Sequence, residues 1–370
     1  MQANRVHIDE FLKGAGDHLL LDVRSPAEYT HARIPGAISF PLFTDEERRI
    51  VGTAYKQESR EKAIKIGLDF FGPKMRGMVE EAEKLLSNRT GKNPHGRSPN
   101  DHCIYVYCWR GGMRSGAVSW LLGLYGFRVY TLAGGYKAFR HQVLKTFEQP
   151  FELKILGGYT GSGKTAILTE LEKKGEAVID LEKIACHKGS AFGNIKMPPQ
   201  PSQEMFENIL AEELWKKTSP KRDGAMSPST RRPPAPLWLE DESQRIGNLN
   251  IPMAFWQTMR HSPLCFLEIP FEERLNYIME EYGHCDVQRL MDATLRISKR
   301  LGGLETKNVL LHLQRGEIKD AFCILLHYYD KRYWKGLHNR ENISALLHKI
   351  PCENVTPFNA KALLNQYQNL

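Results

Sequence analysis

Short apolar runs alternate along the chain with longer stretches in which apolar residues recur at helical spacing. The run at residues 18–23 predicts a strand. Ser25-Pro26-Ala27-Glu28 follows with the signature of a helix start: an N-cap serine, proline at the first helical position and glutamate three residues beyond the cap. A turn from His31 to Ala37 leads to another short strand. Residues 46–86 are charged and largely helical in pattern, broken near Gly72-Pro73, and residues 88–101 form a polar Gly/Pro-rich loop. The run at 103–107 predicts a buried strand and 116–125 a helix. Residues 128–132 predict a strand, Ala133-Gly134-Gly135 a turn and 136–147 a closing helix. Strands that alternate with helices imply a parallel sheet flanked by helices.

A second series starts after Gln149-Pro150, which reads as a linker. Strands are predicted at 151–156, 177–181, about 237–239 and 264–269, with helices after the first (to Lys174) and over 271–282. From 286 to 336 the pattern is mostly helical, and 360–368 predicts a short terminal helix. The expected fold class is therefore α/β in both halves. A first domain covers residues 1–148, and a second covers 149–370 with a helical C-terminal region from about 286.

Chemistry concentrates in two loops. Cys108 ends the strand at 103–107 and opens the stretch Cys108-Trp109-Arg110-Gly111-Gly112-Met113-Arg114-Ser115 before a helix. Loop amides, the helix dipole, Arg110 and Arg114 all favour an anion there, so Cys108 is expected to be a low-pKa nucleophile. In the second half, Gly158 to Thr165 (Gly158, Gly161, Ser162, Gly163, Lys164, Thr165) matches the phosphate-binding loop G-x-x-x-x-G-K-[ST] between a strand and a helix. Lys164 supplies a charge for phosphate oxygens, and Thr165 a hydroxyl for a magnesium ion. Glu240-Asp241-Glu242 at a later strand end is the acidic partner expected of such a loop. Asp241 is assigned to the phosphate site, with Glu240 as the other choice near a metal, and any magnesium ion falls to Thr165 and Asp241. Arg274 is a candidate clamp on phosphate or substrate.

The chain has 370 residues and a net charge of +8, with a pI near 9.0. This leans toward a polyanionic partner. Candidate nucleic-acid contacts are Lys216, Lys217, Lys221, Arg222, Arg231 and Arg232 in a Ser/Pro-rich stretch at 216–236, and Tyr328, Tyr329 and Arg332 in an aromatic and basic cluster. The 7 scattered cysteines form no CxxC pair. That argues against a disulfide framework or a zinc site and for a reducing compartment, read as the cytoplasm. Neither a signal-peptide core nor an apolar run of spanning length is present, so no membrane partner is expected.

Asp22-Val23-Arg24 with Glu28-Tyr29, then His31 to Ala37, the cysteine loop and Leu132-Ala133-Gly134-Gly135 together resemble the rhodanese domain over roughly residues 5–147. In that family the loop cysteine carries a persulfide, a role that would fall to Cys108. The loop is one residue longer than in many rhodaneses, which keeps a phosphatase reading open, although Tyr107 rather than histidine precedes the cysteine. Asp22 and Arg24 are expected to brace the loop rather than react.

The order of the two loops, with Ala191-Phe192-Gly193, Glu240-Asp241-Glu242-Ser243 and Tyr328-Tyr329-Asp330, resembles the tRNA 2-selenouridine synthase family across nearly the whole chain. The resemblance implies tRNA as partner and replacement of sulfur by selenium in wobble 2-thiouridine. Selenophosphate would be the donor, and the route would pass through an S-geranyl intermediate made from geranyl diphosphate. The phosphate loop would then hold a diphosphate leaving group, and Cys108, as thiolate or selenopersulfide, would handle selenium. No tightly bound cofactor is expected, and a selenophosphate-producing enzyme is a candidate partner. Two alternatives stay open: a nucleotide-dependent kinase or ATPase with a sulfur-sensing rhodanese module, and a persulfide carrier.

Overall fold

A computed structural model describes residues 4–90, 103–218 and 236–367. The chain divides into two compact units, residues 1–146 and 147–370.

The first unit runs β1 (Asn4–Val6), α1 (Ile8–Ala15), β2 (Leu19–Asp22), α2 (Pro26–His31), β3 (Ile38–Ser39), α3 (Asp45–Gln57), α4 (Arg60–Phe71), a 3-10 turn at Gly72–Lys74, α5 (Met75–Thr90), β4 (Cys103–Tyr107), α6 (Met113–Tyr125), β5 (Arg128–Leu132) and α7 (Gly135–Thr146). Its five strands are parallel in the order β1-β5-β4-β2-β3. Every residue of β2 and β4 is buried, as strands covered on both faces must be. Leu19, Leu21, Ile104, Val106, Val118 and Leu122 pack one core with Phe40, which follows β3 directly, and with Phe71 and Ala82 from the helices after it. Helix α6 starts at Met113, earlier than the predicted Gly116, which places Arg114 and Ser115 in its first turn.

The second unit runs β6 (Leu153–Gly158), α8 (Lys164–Lys173), β7 (Ala177–Ile179), α9 (Leu181–Ala185), α10 (Gln203–Thr218), β8 (Leu237–Glu240), the small hairpin β9 (Arg245–Ile246) and β10 (Leu249–Asn250), α11 (Met253–Arg260), β11 (Leu264–Glu268), α12 (Phe271–Tyr282), α13 (Val287–Leu301), α14 (Gly303–Gln314), α15 (Ile318–His338), α16 (Ile343–Leu346), β12 (Leu347–Pro351) and α17 (Asn359–Tyr367). Its main sheet is parallel, in the order β12-β11-β6-β8-β7. Strand β6 is central and the order reverses beside it, so the loop after β6 lies where parallel sheets bind ligands.

The C-terminal region is more than a helical extension. β12 returns to the main sheet, five residues in register with β11. Helices α12 to α15 build a second core around Leu275, Ile278, Leu290, Val309, Phe322 and Leu325. The predicted loop at 216–236 also begins late: Lys216 and Lys217 belong to the last turn of α10, and residues 219–235 lie outside the described residues. No helix among the described residues is long and apolar enough to cross a membrane.

Candidate functional site

In the first unit, Cys108 leaves the end of β4 and its side chain is only 3% exposed. The loop is held from two sides. The Tyr136 amide donates to the Cys108 carbonyl at 2.8 Å and the Lys137 amide to that of Trp109 at 3.0 Å. Close backbone approach requires glycine here. A Cβ on Gly135, whose φ is +61°, would sit 2.3 Å from the Cys108 carbonyl oxygen, and one on Gly111 would sit 2.3 Å from that of Leu132.

Beneath the loop lies a buried polar cluster. Arg24 donates twice to the Asp22 carboxylate, at 2.6 and 3.0 Å, and once to the Ala32 carbonyl. Its guanidinium stacks 3.9 Å from the Tyr136 ring. The Tyr107 hydroxyl donates to Asp22 at 2.8 Å. Asp22 and Arg24 therefore brace the residues that shape the loop and make no contact with the sulfur.

The Cys108 Sγ lies 3.3 Å from the Ser115 hydroxyl. Burial pushes the thiol pKa up. Hydrogen bonds from the Ser115 side chain and amide and from the Gly112 amide, helped by the charge of Arg114, outweigh it and bring the pKa below the ordinary cysteine value. Arg114 itself is committed: it donates to Glu28 at 2.7 Å, while Glu28 also accepts from the Ser25 amide at 3.0 Å. Arg114 is thus a bolt between α6 and α2 that polarises the site from behind, not the free anion hook its position in the sequence predicts. Burial works against the charge on Glu28, but Arg114 holds its carboxyl below the usual range. Arg110 remains exposed at the rim, beside Trp109 at 39% and Met113 at 50% exposure.

This network makes a prediction. Replacing Ser115 with alanine removes a stabilising bond from the thiolate, so the rising limb of any Cys108-dependent rate moves to higher pH. The rate at neutral pH falls and is recovered in alkaline buffer. A pH–rate profile identical to wild type would show that the hydroxyl does not tune the thiol.

In the second unit, the phosphate loop links β6 to α8. Gly161 has φ +83°, and a Cβ there would meet the Arg274 carbonyl oxygen at 2.8 Å. The Ser162 hydroxyl and amide both bond the Tyr159 carbonyl, at 2.7 and 3.2 Å, and close the curl. The first-turn amides of α8 have no intrahelical acceptors and add the positive end of its dipole. Lys164 folds over the loop, its Nζ 3.2 Å from the Gly158 carbonyl.

The acidic side of the site differs from the expected one. Asp241 faces away from Thr165: it accepts from the Tyr333 hydroxyl at 2.6 Å and pairs with buried Arg340. The carboxylates that converge are Glu182, Glu240 and Glu242, and Glu182 lies 3.4 Å from the Thr165 hydroxyl. Glu240 is fully buried. One of its oxygens accepts from the Glu182 amide at 2.9 Å, and the other has no hydrogen-bond partner. Burial first, then repulsion from Glu182 and Glu242, pushes the Glu240 carboxyl well above the usual range. Burial and Glu182 do the same to Glu242, against the pull of Lys164. Three converging carboxylates, one of them buried with an unpartnered oxygen, beside a loop threonine, fit a magnesium-like cation.

Arg274 is structural rather than a clamp. It is buried, donates to Asp330 at 2.9 and 2.8 Å and to the Thr160 carbonyl at 3.1 Å, and so ties α15 to the phosphate loop. Tyr333 does the same: its hydroxyl lies 3.3 Å from the Gly158 amide, which donates to it. Neither link is visible in the spacing of the sequence.

Several predicted RNA contacts are otherwise engaged. Lys216 pairs with Glu212 and Glu213, and Lys217 with Glu172. Tyr329 is packed against the helical core, its hydroxyl accepts from the Ala191 amide at 3.2 Å, and burial pushes its pKa up to about 12. Tyr328 is likewise half-buried against that core but lines a groove with exposed Arg332, 5.8 Å from ring centre to guanidinium. Lys221, Arg222, Arg231 and Arg232 lie outside the described residues.

Comparison with known proteins agrees with this division. Residues 8–142 match the rhodanese-like domain family, and residues 151–356 match the family described as the tRNA 2-selenouridine synthase AAA domain. Among relatives named tRNA 2-selenouridine synthase, that of Bdellovibrio bacteriovorus is 32% identical, covering 87% of this chain and 89% of its own. That of Cupriavidus pinatubonensis is 33% identical, with 85% and 87% coverage. That of Shewanella pealeana is 34% identical, with 90% and 93% coverage.

Proposed function

The chain belongs to the tRNA 2-selenouridine synthase family, and we propose that it replaces sulfur by selenium in 2-thiouridine of tRNA by two steps that use separate loops. It is a tRNA-modifying transferase. In the first step the 2-thiouridine sulfur attacks the allylic carbon of geranyl diphosphate. The carbon–oxygen bond breaks and diphosphate leaves with the bonding electrons. Lys164 and the amides of the phosphate loop stabilise the negative charge that collects on the leaving group. A magnesium ion held by Thr165 with Glu182, Glu240 and Glu242 would add electrophilic stabilisation of the diphosphate there.

In the second step the selenium of selenophosphate adds to the uridine carbon that bears the S-geranyl group, the carbon–sulfur bond breaks and geranylthiol leaves with a proton, and water then cleaves the selenium–phosphorus bond to release phosphate. Cys108 serves this step. Its pKa is lowered, it sits on an anion-favouring loop, and Arg110 is exposed at the rim to attract selenophosphate.

The observation that carries the reading is the presence in one chain of a depressed-pKa cysteine on a rhodanese-type loop and a glycine-rich phosphate loop with Lys164 folded over it. A kinase or ATPase would leave the thiol without work, and a sulfur carrier would leave the phosphate loop without a ligand. Donor omission tests it. With geranyl diphosphate alone, the tRNA should gain a geranyl group at sulfur and release pyrophosphate. With selenophosphate alone, selenium should not be incorporated. Nucleotide hydrolysis without any change to the tRNA would favour the kinase or ATPase instead.

A further inference from the structure

Helix α15 carries two unlike faces. At 100° per residue, Asp330 and Tyr333 share one side. There Asp330 holds Arg274, and Tyr333 meets Gly158 and Asp241. Tyr328, Lys331, Arg332 and Lys335 lie on the opposite side. They line a groove of about 780 Å³ closed by His327 and by Arg300 of α13. Arg300, Lys331, Arg332 and Lys335 are all exposed, and none forms a salt bridge among the described residues. One carboxylate, Glu305, lines the same groove.

Four exposed cations facing one acid around a concave surface raise a positive potential that reaches over a Debye length of about 8–10 Å and attracts a polyanion. Other surface cations stand beside an acid: Lys216, Lys217, Arg49, Arg76 and Lys349 each pair with a carboxylate. The half-buried Tyr328 ring, with Arg332 beside it, adds a flat surface suited to a base edge or face.

We propose that this groove is where the second unit binds the phosphodiester backbone of its RNA substrate, with an unpaired nucleotide against Tyr328. The proposal rests on the tRNA-modifying function argued above and names the surface that serves it. Because α15 is about 10 Å across, RNA in the groove lies one helix diameter from the residues that brace the phosphate loop. Single-stranded RNA fits better than a duplex, because a concave site with one aromatic ring receives a splayed loop and not a regular helix.

The test is equilibrium binding of a fluorescently labelled tRNA transcript to the full chain over a range of salt concentrations. A groove variant combines Lys331→Gln, Arg332→Gln and Lys335→Gln. A control removes the same charge from exposed lysines of the first unit, with Lys56→Gln, Lys62→Gln and Lys65→Gln. The groove variant should bind about tenfold or more weakly near 0.1 M salt. Its slope of log affinity against log salt should be shallower by about two to three, because each lost phosphate contact removes about 0.7–0.9. The control should match wild type. If the triple variant does not fold, the pair Arg300→Gln and Lys335→Gln should lower the slope by about 1.4–1.8.

A groove variant with wild-type affinity and slope would overturn the groove while leaving the tRNA function standing. Equal weakening in groove and control variants would show that binding follows net charge, and would also overturn it. Displacement of the tRNA by poly-glutamate as readily as by unlabelled tRNA would assign the groove to acidic protein and overturn the RNA assignment. Failure of wild type to bind tRNA at all would overturn both the groove and the function.

Discussion

Replacing Cys108 with alanine should abolish selenium incorporation while leaving the geranyl step intact, so that S-geranyl-2-thiouridine accumulates in the tRNA. The expected loss is about a thousandfold or more, the scale seen when one member of a catalytic group is removed from an otherwise complete site. The physical basis is local. The sulfur sits at the end of β4, and hydrogen bonds from Ser115 and Gly112 overcome its burial and stabilise the thiolate. Removing the sulfur leaves the loop's shape, which depends on backbone bonds to Tyr136 and Lys137. The measurement is the rate of 2-selenouridine formation, with circular dichroism showing that the variant is folded. Undiminished selenium transfer would remove Cys108 from the mechanism.

Replacing Lys164 with alanine should act on the other step. Lys164 is the cation of the phosphate loop, its Nζ 3.2 Å from the Gly158 carbonyl, and a bound diphosphate would draw it to its oxygens. Its loss should slow geranylation by about 10²–10³, the cost of removing one preorganised charge-stabilising group. Selenium transfer to tRNA already carrying the S-geranyl group should keep its wild-type rate. A variant that loses both steps equally would show that the two loops do not divide the chemistry. Removal of Lys164 also takes away the cation nearest Glu182 and Glu242. The carboxylate trio should therefore hold its protons more tightly in that variant, and its pH–rate profile for geranylation should move to higher pH.

The two reactive loops are legible in the sequence because each is contiguous. A strand, a glycine-bearing loop and a helix start lie within about a dozen residues, and local chemistry dictates what such a segment binds. The supporting residues are illegible for the opposite reason. Glu182 follows the end of β7, Glu240 and Glu242 lie at the end of β8, and Thr165 is on α8; only the parallel register of β6, β7 and β8 brings them together. The acidic triplet at 240–242 marks the right strand end, but choosing among its members needs the backbone direction. The amide of Asp241 continues the ladder to the Leu156 carbonyl, which turns its side chain toward Tyr333 and Arg340.

Strand β12 escaped for a related reason. Its sequence, Leu-His-Lys-Ile-Pro, has two polar residues, it follows a long helical region, and as an edge strand it buries only Ile350 fully. Glycines 111 and 112 read as loop and predict a helix from Gly116, whereas α6 begins at Met113, immediately after them. That shift has a functional consequence: it moves Arg114 from the anion loop into a helix, where Glu28 holds it.

The most direct measurement is a single-turnover time course. Tritium-free 2-thiouridine tRNA is mixed with excess wild-type protein, geranyl diphosphate and selenophosphate, quenched at intervals, digested and read by mass spectrometry. The account predicts that S-geranyl-2-thiouridine rises and then falls as 2-selenouridine appears after a lag. Selenouridine formed without a lag and without any geranylated species, or tRNA left unchanged while selenophosphate remains intact, would contradict it.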